Sequence, residues 1–350
     1  MGVSLEKGDE QIKLIDELGV DYILIRFPLE FMDKIDEYEQ FVKKFPNKKI
    51  LLNILQNREN IEDLTLFEKN ITKIFTTFSP YIKEFQIANA INRTKWGFFG
   101  IAEYLDFFAV AQKVRDEKFQ NLTLLGPPII DFEYYYTIRA LFNLKKIKFD
   151  KISSLLYVDR RGAPKNKQYL FFDTPNKIKL LHTLAVLSPK TKPKIIITEV
   201  NWPISDTAPY APTSQKECVN EEDYANFMVK YYLLAISTGQ VETIYWHQLI
   251  ATGYGLIDNR GEMKKRKAFK AFATMVKILK NATFISFGDS KIISTMKFKT
   301  KQKLITIYWS DESFEINLSY SDEVLDLTGE VIKSKTILIK KNIIYSFTNL

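Results

Sequence analysis

Residues 192–203 read KPKIIITEVNWP. Three consecutive isoleucines form a short β-branched run of the kind found in a strand covered on both faces. The run closes on a carboxylate, Glu199, and leaves through a Trp-Pro loop that carries Trp202. A charged group at the end of an apolar strand is costly to desolvate. It is tolerated where it opens onto a polar pocket, or where it is paired with a structural arginine. The residue pattern alone leaves those two readings level.

The same alternation recurs on both sides of this stretch. Short β-rich runs are expected at 2–5, 22–27, 49–55, 84–89, 122–125, 152–158, 194–199 and 243–248. Each is followed by an amphipathic helical segment, the last at 264–279. Eight strands and eight helices in strict alternation predict an α/β fold, a closed (β/α)₈ TIM barrel. From about residue 282 the helical period stops. The runs KIISTMKF, KLITIYWS, FEINLSY, TILIKKN and IIYSFTN then read as short strands between polar turns. The expected organisation is a glycosidase-like barrel over 1–281 and a small antiparallel β domain over 282–350, packed on the barrel.

In such a barrel chemistry gathers at the C-terminal ends of the strands, which selects few residues. Strand four ends KEFQIANAINRTKWG (83–97), bringing Asn89, Arg93, Lys95 and Trp96 to the mouth. Strand six ends LLYVDRRGAPKNK (155–167), bringing Tyr157, Asp159, Arg160 and Arg161. Strand eight ends IYWHQL (244–249), bringing Trp246 and His247. Tryptophan faces at a pocket rim stack on the apolar faces of sugar rings, whereas most strand-end tryptophans are core. His247 alternates out of phase with Trp246, which turns it toward the helix layer if Trp246 faces the mouth. His182 falls in a helical segment and reads as structural. The arginines suit a carboxylate or phosphate group, and equally a solvated basic rim.

Of 350 residues, 46% are hydrophobic and 26% charged, an ordinary globular balance with a formal net charge of +8. No RNA-binding signature or zinc spacing accompanies that charge, so nucleic acid is not expected. The single cysteine, Cys218, excludes an intramolecular disulfide. No apolar run reaches the roughly 18 residues of a membrane span, and the N-terminal residues lack a signal-type apolar segment. The expected location is cytoplasmic.

Strands four, seven and eight together resemble clan A of the retaining glycoside hydrolases. The nearest likeness is to the family 39-type xylosidase and iduronidase group and related bacterial polysaccharide-cluster glycosidases. ITEVNW (197–202) resembles the clan's nucleophile strand, which makes Glu199 the implied nucleophile. Asn89 matches the asparagine that contacts the sugar 2-hydroxyl, and Ala90 stands where the clan has its acid/base glutamate. The segments GYGLIDNRGEMKKRKAFKAFATM (253–275), VLDLTGEVI (324–332) and ILIKKNIIY (337–345) resemble the stretch after strand eight and the small β domain that follows. The likeness also implies that Tyr157 bonds the nucleophile and that Trp246 forms a sugar platform. Arg93, Trp96, Arg160, Trp202 and His247 complete the expected binding set, with no metal and no cofactor.

Ala90 is the departure. A retaining glycosidase works with two carboxyl groups roughly 5 Å apart, and alanine transfers no proton. Losing general acid catalysis removes on the order of 10²–10⁴ in rate. The sequence therefore supports a glycosidase-like hydrolase acting on a bacterial surface polysaccharide or glycoconjugate, with anionic sugars in view. Such an enzyme would use good leaving groups or a different donor, among which Asp131, Asp159 and His247 stand near the mouth. The alternative is a catalytically inactive protein that binds an oligo- or polysaccharide. A barrel serving as a scaffold lies outside carbohydrate chemistry altogether.

Overall fold

A computed structural model describes residues 1–290 and 292–350. It contains the eight parallel strands in the expected order: β1 Gly2–Val3, β2 Tyr22–Pro28, β3 Lys49–Leu55, β4 Glu84–Ile87, β5 Thr123–Leu125, β6 Ile152–Leu155, β7 Ile195–Val200 and β8 Val241–Trp246. The helices that follow them are α1 Glu10–Leu18, α2 Ile35–Lys43, α3 Leu64–Phe78, α4 Ile101–Lys118, α5 Tyr134–Leu141, α6 Thr174–Leu187, α7 Glu221–Ser237 and α8 Lys267–Leu279. Strands β1 to β5 pair in sequence, as do β6 to β8. A parallel bridge from Leu125 to Lys151 joins the two runs, and the Leu249 amide donates to the Gly2 carbonyl at 2.9 Å. The architecture is a (β/α)₈ barrel followed by a small antiparallel β domain.

Two compact units divide the chain: Met1–Ile15 with Val20–Asn201 and Gln240–Ile250, and Asp16–Gly19 with Trp202–Gly239 and Ala251–Leu350. The first unit holds all eight barrel strands. Leu24, Leu51, Leu125, Ile196 and Tyr245 of five of these strands form one buried layer. Side chains alternate along a strand, so residues two further on, Arg26, Asn53 and His247, belong to the same interior face nearer the mouth. At the opposite strand ends the Lys151 ammonium, 8% exposed, bridges Glu84 at 2.6 Å and Glu242 at 2.5 Å.

On β7 the register slips. Ser154 faces Ile197 but Leu155 faces Glu199, and Ile197 faces Ile244 while Val200 faces Trp246. One extra residue at Thr198 is the mark of a bulge, which re-aims the side chain beyond it. Ile196 lies in the interior layer, so regular alternation would turn Glu199 outward; the bulge turns it in.

The second unit carries a five-stranded antiparallel sheet of β9 Thr283–Asp289, β10 Ser294–Lys299, β11 Lys303–Trp309, β13 Glu323–Leu325 and β15 Ile344–Asn349. A separate pair joins β12 Ser313–Asn317 to β14 Thr336–Lys340. Tyr308, Leu318, Val324, Ile337, Ile339 and Ile344 form their shared core. Lys291, which opens the expected run KIISTMKF, lies outside the described residues.

Several boundaries differ from expectation for local reasons. Strand four stops at Ile87, not residue 89, because Ala88 and Ala90 turn into the left-handed region (φ 71° and 44°). The helix expected from residue 264 begins at Lys267, since Lys264–Lys265 pair with Ile257–Asp258. Among the described residues no helix is long and apolar enough to cross a membrane.

Leu51 is fully enclosed in the interior layer. Leu51→Ala is therefore expected to cost about 2–5 kcal/mol, read as a lower midpoint in chemical denaturation with an unchanged slope.

Candidate active site

Glu199 is 7% exposed at the end of β7. The Arg26 guanidinium at the end of β2 and the Tyr157 hydroxyl beyond β6 each donate a hydrogen bond to it, one to each carboxylate oxygen. Burial works against the charge. Burial is the largest single effect, but the Arg26 guanidinium, His247, the Tyr157 bond and the nearby Arg161 guanidinium together outweigh it and hold the carboxyl below its ordinary range. Tyr157 is driven the other way: burial and the Glu199 charge raise its hydroxyl well above the usual value, so it stays a donor.

His247 lies on the interior face with Tyr245, and Trp246 takes the opposite phase. The sequence reading that turned His247 to the helix layer is thus reversed. Burial, with the Arg26 charge, pushes the His247 ring down to about 3, against the pull of Glu199. The ring is neutral near pH 7 and adds no formal charge to the site. Its carbonyl accepts from the Asn201 amide at 2.6 Å.

Beside these groups stands an amide cluster. Asn89 Oδ1 accepts from Asn53 Nδ2 and from Gln86 Nε2, both at 3.2 Å. Gln56 pins the turn: its Oε1 accepts from the Asn89 amide at 2.9 Å, and its Nε2 donates to the carbonyls of Asn89 and Trp96 at 2.8 Å each. Asn53 Oδ1, Gln86 Oε1 and Arg26 Nε are buried with no hydrogen-bond partner among the described residues. Buried polar atoms are ordinarily satisfied, so this cup has bonding capacity left for a polar ligand. A cleft of about 280 Å³ runs from Asn89 past Gln56 and Leu29 to Lys95 and Trp96, whose ring is 45% exposed.

Ala90 is 1% exposed and packs with Leu155, Tyr157 and Ile130. Its methyl group is part of the wall behind Tyr157. Arg93 is held by two acids from the loop after β5, Glu133 at 2.6 Å and Asp131 at 3.0 Å. Arg161 lies 3.4 Å over the Tyr157 ring and 3.7 Å from Asp131. Arg160 is exposed, with φ 47°. The rim is an ion-paired lattice more than a row of open cations. Lys177 of α6, pushed down to about 8 by burial, donates to the Tyr157 carbonyl at 3.0 Å.

The three tryptophans do not share one open face. Trp246 is fully enclosed, so no ring face is available there for stacking. Trp202, also fully enclosed, packs within the second unit against Phe227 and Tyr231. Sequence reasoning singled out Glu199, Tyr157, Asn89 and His247, which the barrel gathers, but missed Arg26, Asn53, Gln56 and Gln86. Arg26 was the most legible of these: YILIRFP places a lone guanidinium in an apolar strand.

No family model matches the chain, and no curated protein does. Among solved structures it is similar to a family 39 glycoside hydrolase from the gut symbiont Bacteroides cellulosilyticus WH2, at 13% identity and TM-score 0.74 over 99% of this chain and 80% of that one. A family 39 β-xylosidase from Caulobacter crescentus is similar at 12% identity and TM-score 0.70, covering 100% and 95% of the two chains. A family 30 endoxylanase from Clostridium papyrosolvens C71 gives 10% and 0.65, again over 100% and 95%. The fold is the (β/α)₈ barrel shared with these glycoside hydrolases.

Two measurements test the electrostatics of this barrel. Removing the positive partner in Arg26→Met should raise the Glu199 pKa, and by more than Tyr157→Phe does, as followed by carboxyl NMR titration. His247, with a folded pKa near 3 against an ordinary 6.5, takes up its proton more readily when unfolded. Stability should therefore fall as pH drops from about 6.5 toward 3, and His247→Gln should flatten that limb in denaturation curves measured across the range.

Proposed function

We propose that this protein is a carbohydrate-active hydrolase in which Glu199 attacks an anomeric carbon. The observation that carries the proposal is a buried carboxylate kept ionised at the barrel mouth by Arg26 and Tyr157. Such a carboxylate is a ready nucleophile. Its two bonds also fix its direction, which matters because attack needs alignment as well as charge. The unsatisfied amide oxygens of Asn53 and Gln86 around Asn89 are acceptors suited to sugar hydroxyls, with Asn89 on the 2-hydroxyl. Trp96, the exposed ring of the cleft, takes the platform role first given to Trp246.

Proton delivery sets the substrate class. Ala90 transfers no proton, His247 is neutral near pH 7, and Asp131 is ion-paired with Arg93. With Asp159 left as the remaining candidate donor, the chemistry favours leaving groups that depart as stable anions with little protonation. With Arg93 held by Glu133 and Asp131, a neutral sugar at the nucleophile fits better than an anionic one. Bacterial surface polysaccharides and glycoconjugates are the proposed source of that sugar, and the identity of the family 39 and family 30 neighbours makes a β-linked glycan the first choice for screening.

A second reading has its own observation. Ala90, 1% exposed, packs against Leu155 and Tyr157 and brings no carboxyl to the mouth, as in a groove kept for binding alone. Dinitrophenyl glycosides separate the two. The enzyme reading expects slow turnover by the parent, lowered on the order of 10³-fold or more in Glu199→Gln, with little change in glycan affinity. Glycan binding by calorimetry without turnover of any activated substrate establishes the binding reading instead.

A further inference from the structure

The loops after β5 and β6 end in a feature that the site does not use. Gln168–Phe172, QYLFF, forms a tight hairpin in which Gln168 and Phe172 exchange backbone hydrogen bonds at 3.0 Å in each direction. Of the three turn residues, Tyr169 and Leu170 are left-handed (φ 49° and 69°) without being glycine. Non-glycine residues hold that conformation only where surrounding structure over-determines it. Here it does: Gln168 Nε2 donates to the Asp131 carbonyl at 3.2 Å, Phe172 packs on Phe132 with centroids 5.2 Å apart, and Tyr169 meets Tyr134 edge-on at 6.0 Å.

The rigid turn presents apolar side chains to solvent. Leu170 is 80% exposed, Phe171 70% and Tyr169 51%, with Tyr135 beside them at 48%. An exposed apolar cluster of this size on a soluble surface marks an interaction site. The tip itself is uncharged, and of the six Lys or Arg in the segment around it, residues 159–179, Lys177 and Arg161 are taken up inside the site while Arg160 is exposed. Lys167 and Lys179 are exposed there. Apolar and aromatic residues flanked by cations match the layered chemistry of an anionic membrane surface, headgroup charge outside and hydrocarbon beneath.

We propose that the Gln168–Phe172 hairpin is a lipid-binding tip that docks this protein on an anionic membrane surface, at the strand-end face that carries Glu199. The proposal goes beyond the hydrolase reading and stands without it.

A second exposed apolar group provides an internal comparison. Leu144, Val186 and Leu187 are 102%, 58% and 65% exposed. Leu187 ends α6, whose start follows the hairpin, and so lies roughly 20 Å away at 1.5 Å per residue. A flat surface engages one group or the other.

The test is co-sedimentation of the full chain with vesicles of phosphatidylcholine alone and with phosphatidylglycerol added. The parent is expected to pellet with the anionic vesicles, less so as salt screens the attraction. Leu170→Ser combined with Phe171→Ser should weaken the partition about tenfold or more, with the melting temperature unchanged. Phe171→Trp supplies a reporter whose emission should move to the blue on adding anionic vesicles. The proposal is overturned if the parent ignores both vesicles, if the double variant pellets like the parent, or if Leu144→Ser with Leu187→Ser abolishes binding in its place. It is equally overturned if sedimentation velocity shows a parent dimer that the hairpin variant dissolves without any lipid effect, since the tip would then serve a second copy of the chain.

Discussion

A carboxylate only 7% exposed at the end of an apolar strand remains charged because a guanidinium meets it inside the barrel. Removing either partner leaves an uncompensated buried charge, a penalty of several kcal/mol. The pairing therefore constrains more than one residue. It requires Arg26 and Glu199 to point to the same interior from β2 and β7, and Glu199 does so only through the bulge at Thr198. Tyr157, with its hydroxyl kept protonated by the same charge, and His247, kept neutral, arrange themselves around that pair.

Around this centre the loops are fixed by groups with no place in the chemistry. Gln56 uses both ends of its amide to hold the turn that carries Asn89. Lys177 reaches from α6 to the Tyr157 carbonyl, and Arg161 covers the Tyr157 ring. Three pairs of consecutive left-handed residues, Asp131–Phe132, Arg160–Arg161 and Tyr169–Leu170, lie in the loops after β5 and β6. Their conformations carry a local cost that the ion pairs and aromatic contacts between those loops offset.

The barrel was legible because its strands are short apolar runs in strict alternation with amphipathic helices, a signal that survives errors of a few residues at each boundary. Glu199 was legible because a lone charge interrupts such a run, and Arg26 in YILIRFP carries the same mark without having been singled out. What the period could not convey was direction. Simple alternation sends Glu199 outward, and the bulge that reverses it has no signature in IIITEV. The phase at the end of β8 is equally ambiguous in IYWHQL, so Trp246 and His247 were both placed at the mouth, with the helix layer left open for His247. The basic rim read as open because a sequence lists Arg93 without showing that Asp131 and Glu133, some forty residues later, fold back onto it.

The setting of Ala90 ties the missing carboxyl to the packing around Tyr157. Leu155, Tyr157 and Ile130 have closed around a methyl group, and Tyr157 is in turn bonded to Glu199 and covered by Arg161. A larger residue at that position would have to displace the ring that orients the carboxylate opposite. A longer side chain at residue 90 is therefore coupled to the nucleophile: it acts on Glu199 through the ring of Tyr157 as well as on the local packing.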